Sequence, residues 1–188
     1  MLLKPLVLCE GEHDKCLIEN VLRLKFKITD IVVARDIQEV YKLSRRRKGE
    51  FLIYVTGGKP QVYRALTTLA SQLLRNRLTK AFCVIIDENL EKPMNVIEDR
   101  LKVYFTSKFL KERPKVNKDE RGFILNYRGF DLRIWIMIIP KSLEKQVKSV
   151  LGKLDVDYCN LDYLRLFGDK SWFRRIIEVL NSMIRNLS

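Results

Sequence analysis

The stretch that most constrains this chain is Ala81-Phe82-Cys83-Val84-Ile85-Ile86, an unbroken apolar run followed at once by Asp87-Glu88-Asn89-Leu90-Glu91. A strand with one wet face alternates apolar and polar residues. A run apolar on both faces fits a parallel sheet covered by helices on either side. Three other short apolar runs fit the same sheet: Leu6–Cys9, ending in Glu10-Gly11; Ile31–Ala34, rich in β-branched residues; and Phe51–Val55, ending in Thr56-Gly57-Gly58-Lys59-Pro60.

Apolar residues at helical spacing separate these runs. They are Leu17, Ile18, Val21, Leu22 and Leu24; then Ile37, Val40 and Tyr41 behind the capping pattern Asp36-x-x-Glu39; then Val62, Ala65, Leu66, Leu69 and Leu73. Pro93 opens a further helix with Ile97, Leu101 and Tyr104 inward. Residues 111–121 are polar and read as an exposed loop, and residues 123–125 and 132–139 read as a hairpin around Tyr127-Arg128-Gly129. Ser142 caps a helix carrying Leu143, Val147, Val150 and Leu151. Asp169 is the expected N-cap of a last helix with Phe173, Ile176, Ile177, Leu180, Ile184 and Leu187 on one side. Alternating β and α units predict a Rossmann-like three-layer α/β/α fold with a mostly parallel sheet and a helical C-terminal extension. Residues 1–140 form the α/β domain in this reading, and residues 141–188 a helical segment packed on it.

Right-handed crossovers put every parallel strand's C-terminus on one sheet edge, where ligand sites of such folds collect. Glu10, the turn Thr56-Gly57-Gly58-Lys59 and the acidic segment Asp87-Glu88-Asn89 all fall there. A carboxylate directly after a buried strand needs a cation, a donor or water. Two of them at neighbouring strand ends repel unless a divalent ion or a shared proton intervenes. Oxygen ligands of this kind suit Mg²⁺ or Mn²⁺. The alternative is that both acids only cap the helices that follow. Asp14, four residues past Glu10, reads first as a helix cap, and the single histidine, His13, as a surface or hydrogen-bonded residue. Gly57 and Gly58 present backbone N–H groups that suit a phosphate, with Lys59 as its cationic, candidate catalytic partner; a purely structural turn is the other reading.

The net charge of +13 favours a polyanionic partner, nucleic acid before anionic lipid. Its densest basic run, Arg45-Arg46-Arg47-Lys48, is a candidate backbone-phosphate contact or a solvated helix end. Tyr127, Arg128, Phe130, Arg133 and Trp135 interleave aromatic and basic residues, and burial of the aromatics is favoured over base stacking. The cysteines Cys9, Cys16, Cys83 and Cys159 contain no C-x-x-C pair, so buried free thiols in a reduced compartment are expected rather than zinc or disulfides. No apolar run reaches membrane-spanning length, and the opening MLLKPLVLCEGEHD has no basic leader or cleavage site. A cytoplasmic protein with no membrane partner is the expectation. The oligomeric state stays open, a homodimer included.

Val7-Leu8-Cys9-Glu10-Gly11-Glu12-His13-Asp14 resembles the first motif of the Toprim superfamily, a strand, then E-G-x-x-D, then an amphipathic helix. Ile85-Ile86-Asp87-Glu88-Asn89 resembles its second motif, a strand ending in D-x-D, and the Gly57-Gly58-Lys59 turn lies between them. The order and spacing fit over about residues 4–140. Ile136-Met137-Ile138-Ile139-Pro140 followed by Leu143-Glu144 is similar to a late strand-Pro-helix segment of short stand-alone Toprim-like proteins. The resemblance implies Mg²⁺-dependent phosphoryl transfer on nucleic acid, as in a nuclease acting on DNA or RNA. It implies Glu10 as general acid/base at the metal site and Asp87 as principal metal ligand. The second acid of D-x-D is Asn89 here, which brings an oxygen but no charge; Glu91 is the preferred substitute ligand. That departure motivates a second reading, a non-catalytic nucleic-acid-binding module. A third, a Rossmann-like binder of a small phosphorylated ligand, lacks G-x-G-x-x-G after the first strand.

Overall fold

A computed structural model describes residues 5–44, 51–79, 81–88, 92–109 and 112–185. The strands are β1 (Leu6–Cys9), β2 (Ile31–Ala34), β3 (Phe51–Val55), β4 (Ala81–Glu88), β5 (Lys115–Asp119), β6 (Gly122–Tyr127) and β7 (Phe130–Pro140). The helices are α1 (Glu12–Phe26), α2 (Ile37–Ser44), α3 (Lys59–Asn76), α4 (Pro93–Lys108), α5 (Leu143–Leu151), α6 (Tyr163–Phe167) and α7 (Ser171–Arg185). A short 3-10 turn, Tyr158–Asn160, precedes α6.

The strands form one seven-stranded sheet in the order β2-β3-β1-β4-β7-β6-β5. The first five in that order run parallel, and β6 and β5 are antiparallel additions at the edge. The sheet is covered on both faces, as the apolar β4 run requires. Side chains alternate strictly. Leu6, Leu8, Phe82, Val84 and Ile86 pack toward α3 and α4, whereas Val7, Cys9, Cys83 and Ile85 pack toward α1, α5, α6 and α7. The second cluster thus joins the first strands to Phe167, Phe173, Ile176 and Leu180 from the C-terminal helices. The fold is a three-layer α/β structure with a mostly parallel sheet.

The hairpin forms as the sequence predicts, with Gly122 paired to Trp135 and Tyr127 to Phe130. Its two-residue loop has positive φ at both Arg128 (52°) and Gly129 (73°), the turn geometry that matches strand twist. Phe130 and Trp135 are buried, so these aromatics serve the core, and Arg133 and Arg128 pair with Asp119 and Glu112.

Several expectations are corrected. Residues 111–121 are not all loop, because β5 pairs along β6 from Lys115–Asn126 to Asp119–Gly122. Its sequence, Lys-Val-Asn-Lys-Asp, has no apolar periodicity; backbone pairing makes the strand, and its lysines suit an exposed edge. Leu24 and Val150 lie outside the buried faces of their helices, at 44% exposure each. The last helix starts at Ser171, two residues beyond Asp169, and buries Val179 and Met183 as well. Cys9 and Cys83 are buried free thiols, but Cys16 and Cys159 form a disulfide. Their sequence separation of 143 residues carries no local signature, which is why the pairing is invisible in the sequence. Among the described residues no helix is long and apolar enough to cross a membrane.

Candidate functional site

The C-terminal ends of β3, β1 and β4 lie side by side, with Cys9 level with Val55 on one flank and with Ile85 on the other. The helices that follow them leave in opposite directions: α1 goes to one face of the sheet, α3 and α4 to the other. Divergence of this kind opens a crevice at the strand ends. Glu10 follows β1 directly and Asp87 is the second-last residue of β4, so both acids stand at these strand ends.

The backbone of the turn after β3 is tied to the end of β1. The backbone N–H groups of Gly57 and Gly58 donate to the Glu10 carbonyl at 3.1 and 3.0 Å, and Thr56 N–H donates to the Cys9 carbonyl at 3.1 Å. Gly57 and Gly58 have φ of 81° and 140°, which favour glycine. Their amides are therefore engaged inside the protein, and the backbone phosphate cradle expected of them does not stand free. The cation of the turn does face the site, since Lys59 Nζ donates to the Asp87 carbonyl at 3.1 Å.

Asp87 N–H lies 3.5 Å from Glu10 Oε2, so the two acids are neighbours across the β1–β4 gap. The alternation along β4 turns the Asp87 side chain toward the α1 and α5 face. There the charges of Asp14, in the first turn of α1, and Glu144, in the first turn of α5, act on it or are acted on by it. Asp14 does cap its helix, accepting from Gly11 N–H at 2.9 Å, but it is also only 5% exposed. Glu144 Oε1 lies 2.8 Å from His13 Nδ1, and the His13 ring stacks on Tyr158 at a centroid distance of 3.8 Å.

Four carboxyls thus lie near enough for their charges to act on one another, and burial and mutual repulsion shift their proton affinities. Burial, then the charges of Asp87, Glu10 and Glu144, push Asp14 up to about 8 against the Gly11 N–H bond. Burial, then Glu10 and Glu144, push Asp87 up to about 7, opposed by a backbone bond from Leu143 and by Lys59. Burial also raises Glu10, which the Asp87 N–H and Lys59 only partly offset. Glu144 behaves differently. Burial pushes it up, but the His13 bond and its helix-terminal hydrogen bonds outweigh this and hold it below the ordinary value.

Mutual repulsion among buried acids is the environment a divalent cation relieves. The donors fit a hard cation, since all are carboxylate oxygens, and Asp87 Oδ1 is buried without a hydrogen-bond partner. Among the described residues, however, no three acidic, histidine or cysteine side chains already converge as a cation cage. Asn89, Glu91 and the basic run Arg45-Arg46-Arg47-Lys48 lie outside the described residues.

The structure therefore brings Glu10, Lys59 and Asp87 together and adds two carboxyls to them. Glu144 was legible by the rule that found the other two, an acid just past an apolar strand, but Pro140 and the Ser142 cap intervene. Asp14 read first as a cap and second as a ligand, because the sequence does not show that the face of α1 carrying it turns onto β4. No family model, no curated protein and no solved structure matches this chain.

Proposed function

We propose that this chain is a Toprim-type, Mg²⁺-dependent nucleic-acid phosphoryl-transfer protein, a nuclease acting on DNA or RNA in the cytoplasm. One observation supports this above all: Glu10 and Asp87 adjoin at the crevice of a parallel sheet, with a buried Asp87 oxygen left unpartnered. Bound Mg²⁺, or Mn²⁺, supplies charge neutralisation and a polarised phosphate. Asp87 would hold it, with Glu10 beside it and Asn89 and Glu91 on the segment after β4.

The chain's own groups divide the remaining work. Glu10, raised above its ordinary value by burial, is suited to accept and return a proton at this edge. Lys59, fixed on the Asp87 carbonyl, presents a cation to a phosphate oxygen at the same edge. The net charge of +13 draws the polyanion, Arg45, Arg46, Arg47 and Lys48 included.

The test incubates purified protein with single- and double-stranded DNA and RNA in Mg²⁺, in Mn²⁺ and in EDTA. Metal-dependent cleavage that disappears in Glu10→Gln and Asp87→Asn is the expected result. Cleavage that survives both substitutions removes these residues from the site. Asn89, in place of a second acid, favours one alternative: a binding module without catalysis. It predicts salt-sensitive nucleic-acid binding by wild type with no cleavage of any substrate.

A further inference from the structure

The segment between α5 and α6 crosses the N-terminal half of α1 beside the acidic crevice. Residues 152–155 are exposed, and the 3-10 turn that follows is where the segment is fastened to the body. Three kinds of contact hold it. Tyr158 is buried and its ring lies flat on His13, with 14° between planes. Hydrogen bonds run from Tyr163 Oη to the Tyr158 carbonyl at 2.9 Å and from Asn20 Nδ2 to the Leu161 carbonyl at 2.8 Å. The third is covalent, the Cys16–Cys159 disulfide, one residue from Tyr158 on the strap and three from His13 on the helix.

These contacts form a continuous chain into the site. Cys159 fixes Tyr158, Tyr158 covers one face of His13, and His13 holds Glu144 at 2.8 Å. Glu144 in turn carries the charge felt by Glu10, Asp14 and Asp87. The neighbours differ in access: Cys16 is buried in the core, whereas Cys159 is exposed, so a thiol reductant reaches the bond from the strap side.

We propose that His13 is a positioning residue for the acidic crevice and that the thiol state of Cys16 and Cys159 sets its position. Oxidised, the strap pins Tyr158 on His13 and His13 on Glu144. A dithiol reductant breaks the S–S bond. Two electrons and two protons pass to the cysteine sulfurs, giving two thiols, and the reductant leaves as its own disulfide. The strap then keeps its few hydrogen bonds and the packing of Tyr158, Val156 and Leu161 on the core but loses its covalent fastening, and the hold of Tyr158 on His13 and of His13 on Glu144 loosens. The site consequence rests on the acidic-crevice reading above; the positioning itself does not.

His13 is the only histidine in the chain, so its ring protons are resolvable by NMR without assignment of the rest. The first measurement counts thiols in unreduced, denatured protein: two of the four cysteines should react. Four reactive thiols overturn the proposal. In the folded oxidised protein the stacked Tyr158 ring should displace the His13 signals upfield, and Tyr158→Ala should abolish that displacement. Reduction, or Cys159→Ser, should move the signals toward the Tyr158→Ala position. Signals that stay where they are in both cases overturn it. Glu144→Gln should shift the His13 signals in oxidised protein and much less in reduced protein; equal shifts in the two states overturn it too. Added Mn²⁺ gives an independent reading, since a cation at the crevice broadens the His13 signals. No broadening in either thiol state counts against the divalent-cation reading alone and leaves the positioning claim to the unbroadened signals.

Discussion

Asp14→Asn removes one carboxyl from the crowded crevice while keeping an oxygen that can accept from Gly11 N–H. The wild-type group ordinarily ionises near 3.8 and here near 8, so the folded protein holds a proton that the unfolded chain has released across that interval. Its raised value makes a stability contribution that is complete below about pH 4 and is lost as pH rises toward 8. Over the roughly three pH units up to pH 7, at about 1.4 kcal/mol each, the loss is on the order of 4 kcal/mol. Burial, the largest cause, is relieved when the amide replaces the carboxyl, whereas the repulsion from Asp87, Glu10 and Glu144 is shared with groups that remain, so a gain on the order of 2 kcal/mol is expected of the variant. For a chain of this size that corresponds to about 4–8 °C in Tm. Urea and thermal melts of wild type and variant, in EDTA at pH 5 and pH 8, measure it. The variant should gain on wild type as pH rises, and wild type should lose stability over the same range. Equal stability of the two proteins at pH 8, or a wild type that grows more stable from pH 5 to pH 8, refutes the reasoning.

Other perturbations report on separate parts of the structure. Mg²⁺ should raise the wild-type Tm more at pH 8 than at pH 5, because at pH 8 Asp87 is largely and Asp14 about half ionised while at pH 5 both hold their protons; a Tm insensitive to Mg²⁺ at pH 8 counts against the cation site. Opening the Cys16–Cys159 link releases a 143-residue loop in the unfolded chain, a destabilisation of at most about 5 kcal/mol in the chain-entropy picture, read by urea melts with and without reductant. Gly122→Ala places a Cβ 2.0 Å from the Ile134 carbonyl oxygen at a φ of 148°, and should cost at least about 3 kcal/mol in thermal unfolding. Lys59→Met should weaken nucleic-acid binding and reduce its salt dependence by about one phosphate contact, measured by titration over a range of salt.

The layered architecture could be read from the sequence because its signals are local. The β4 run is apolar on both faces and demands cover on both; Val62 to Leu73 mark one helix stripe; Arg128-Gly129 can take the positive φ that a two-residue hairpin needs. β5 was unreadable for the converse reason, since a charged edge strand is made by its neighbour's backbone and not by its own side chains.

The sequence by itself determined that Glu10 and Asp87 end buried strands and that Lys59 follows the turn between them, because strand ends are written in the chain. Tertiary structure alone decided what faces those acids. The alternation along β4 turns Asp87 toward α1 and α5, bringing in Asp14 and Glu144 from positions 73 and 57 residues away in sequence (87 − 14 and 144 − 87). It also spent the Gly57 and Gly58 amides on the Glu10 carbonyl and joined Cys16 to Cys159. Such pairings are set by how layers pack across the sheet, where sequence separation carries no information about distance.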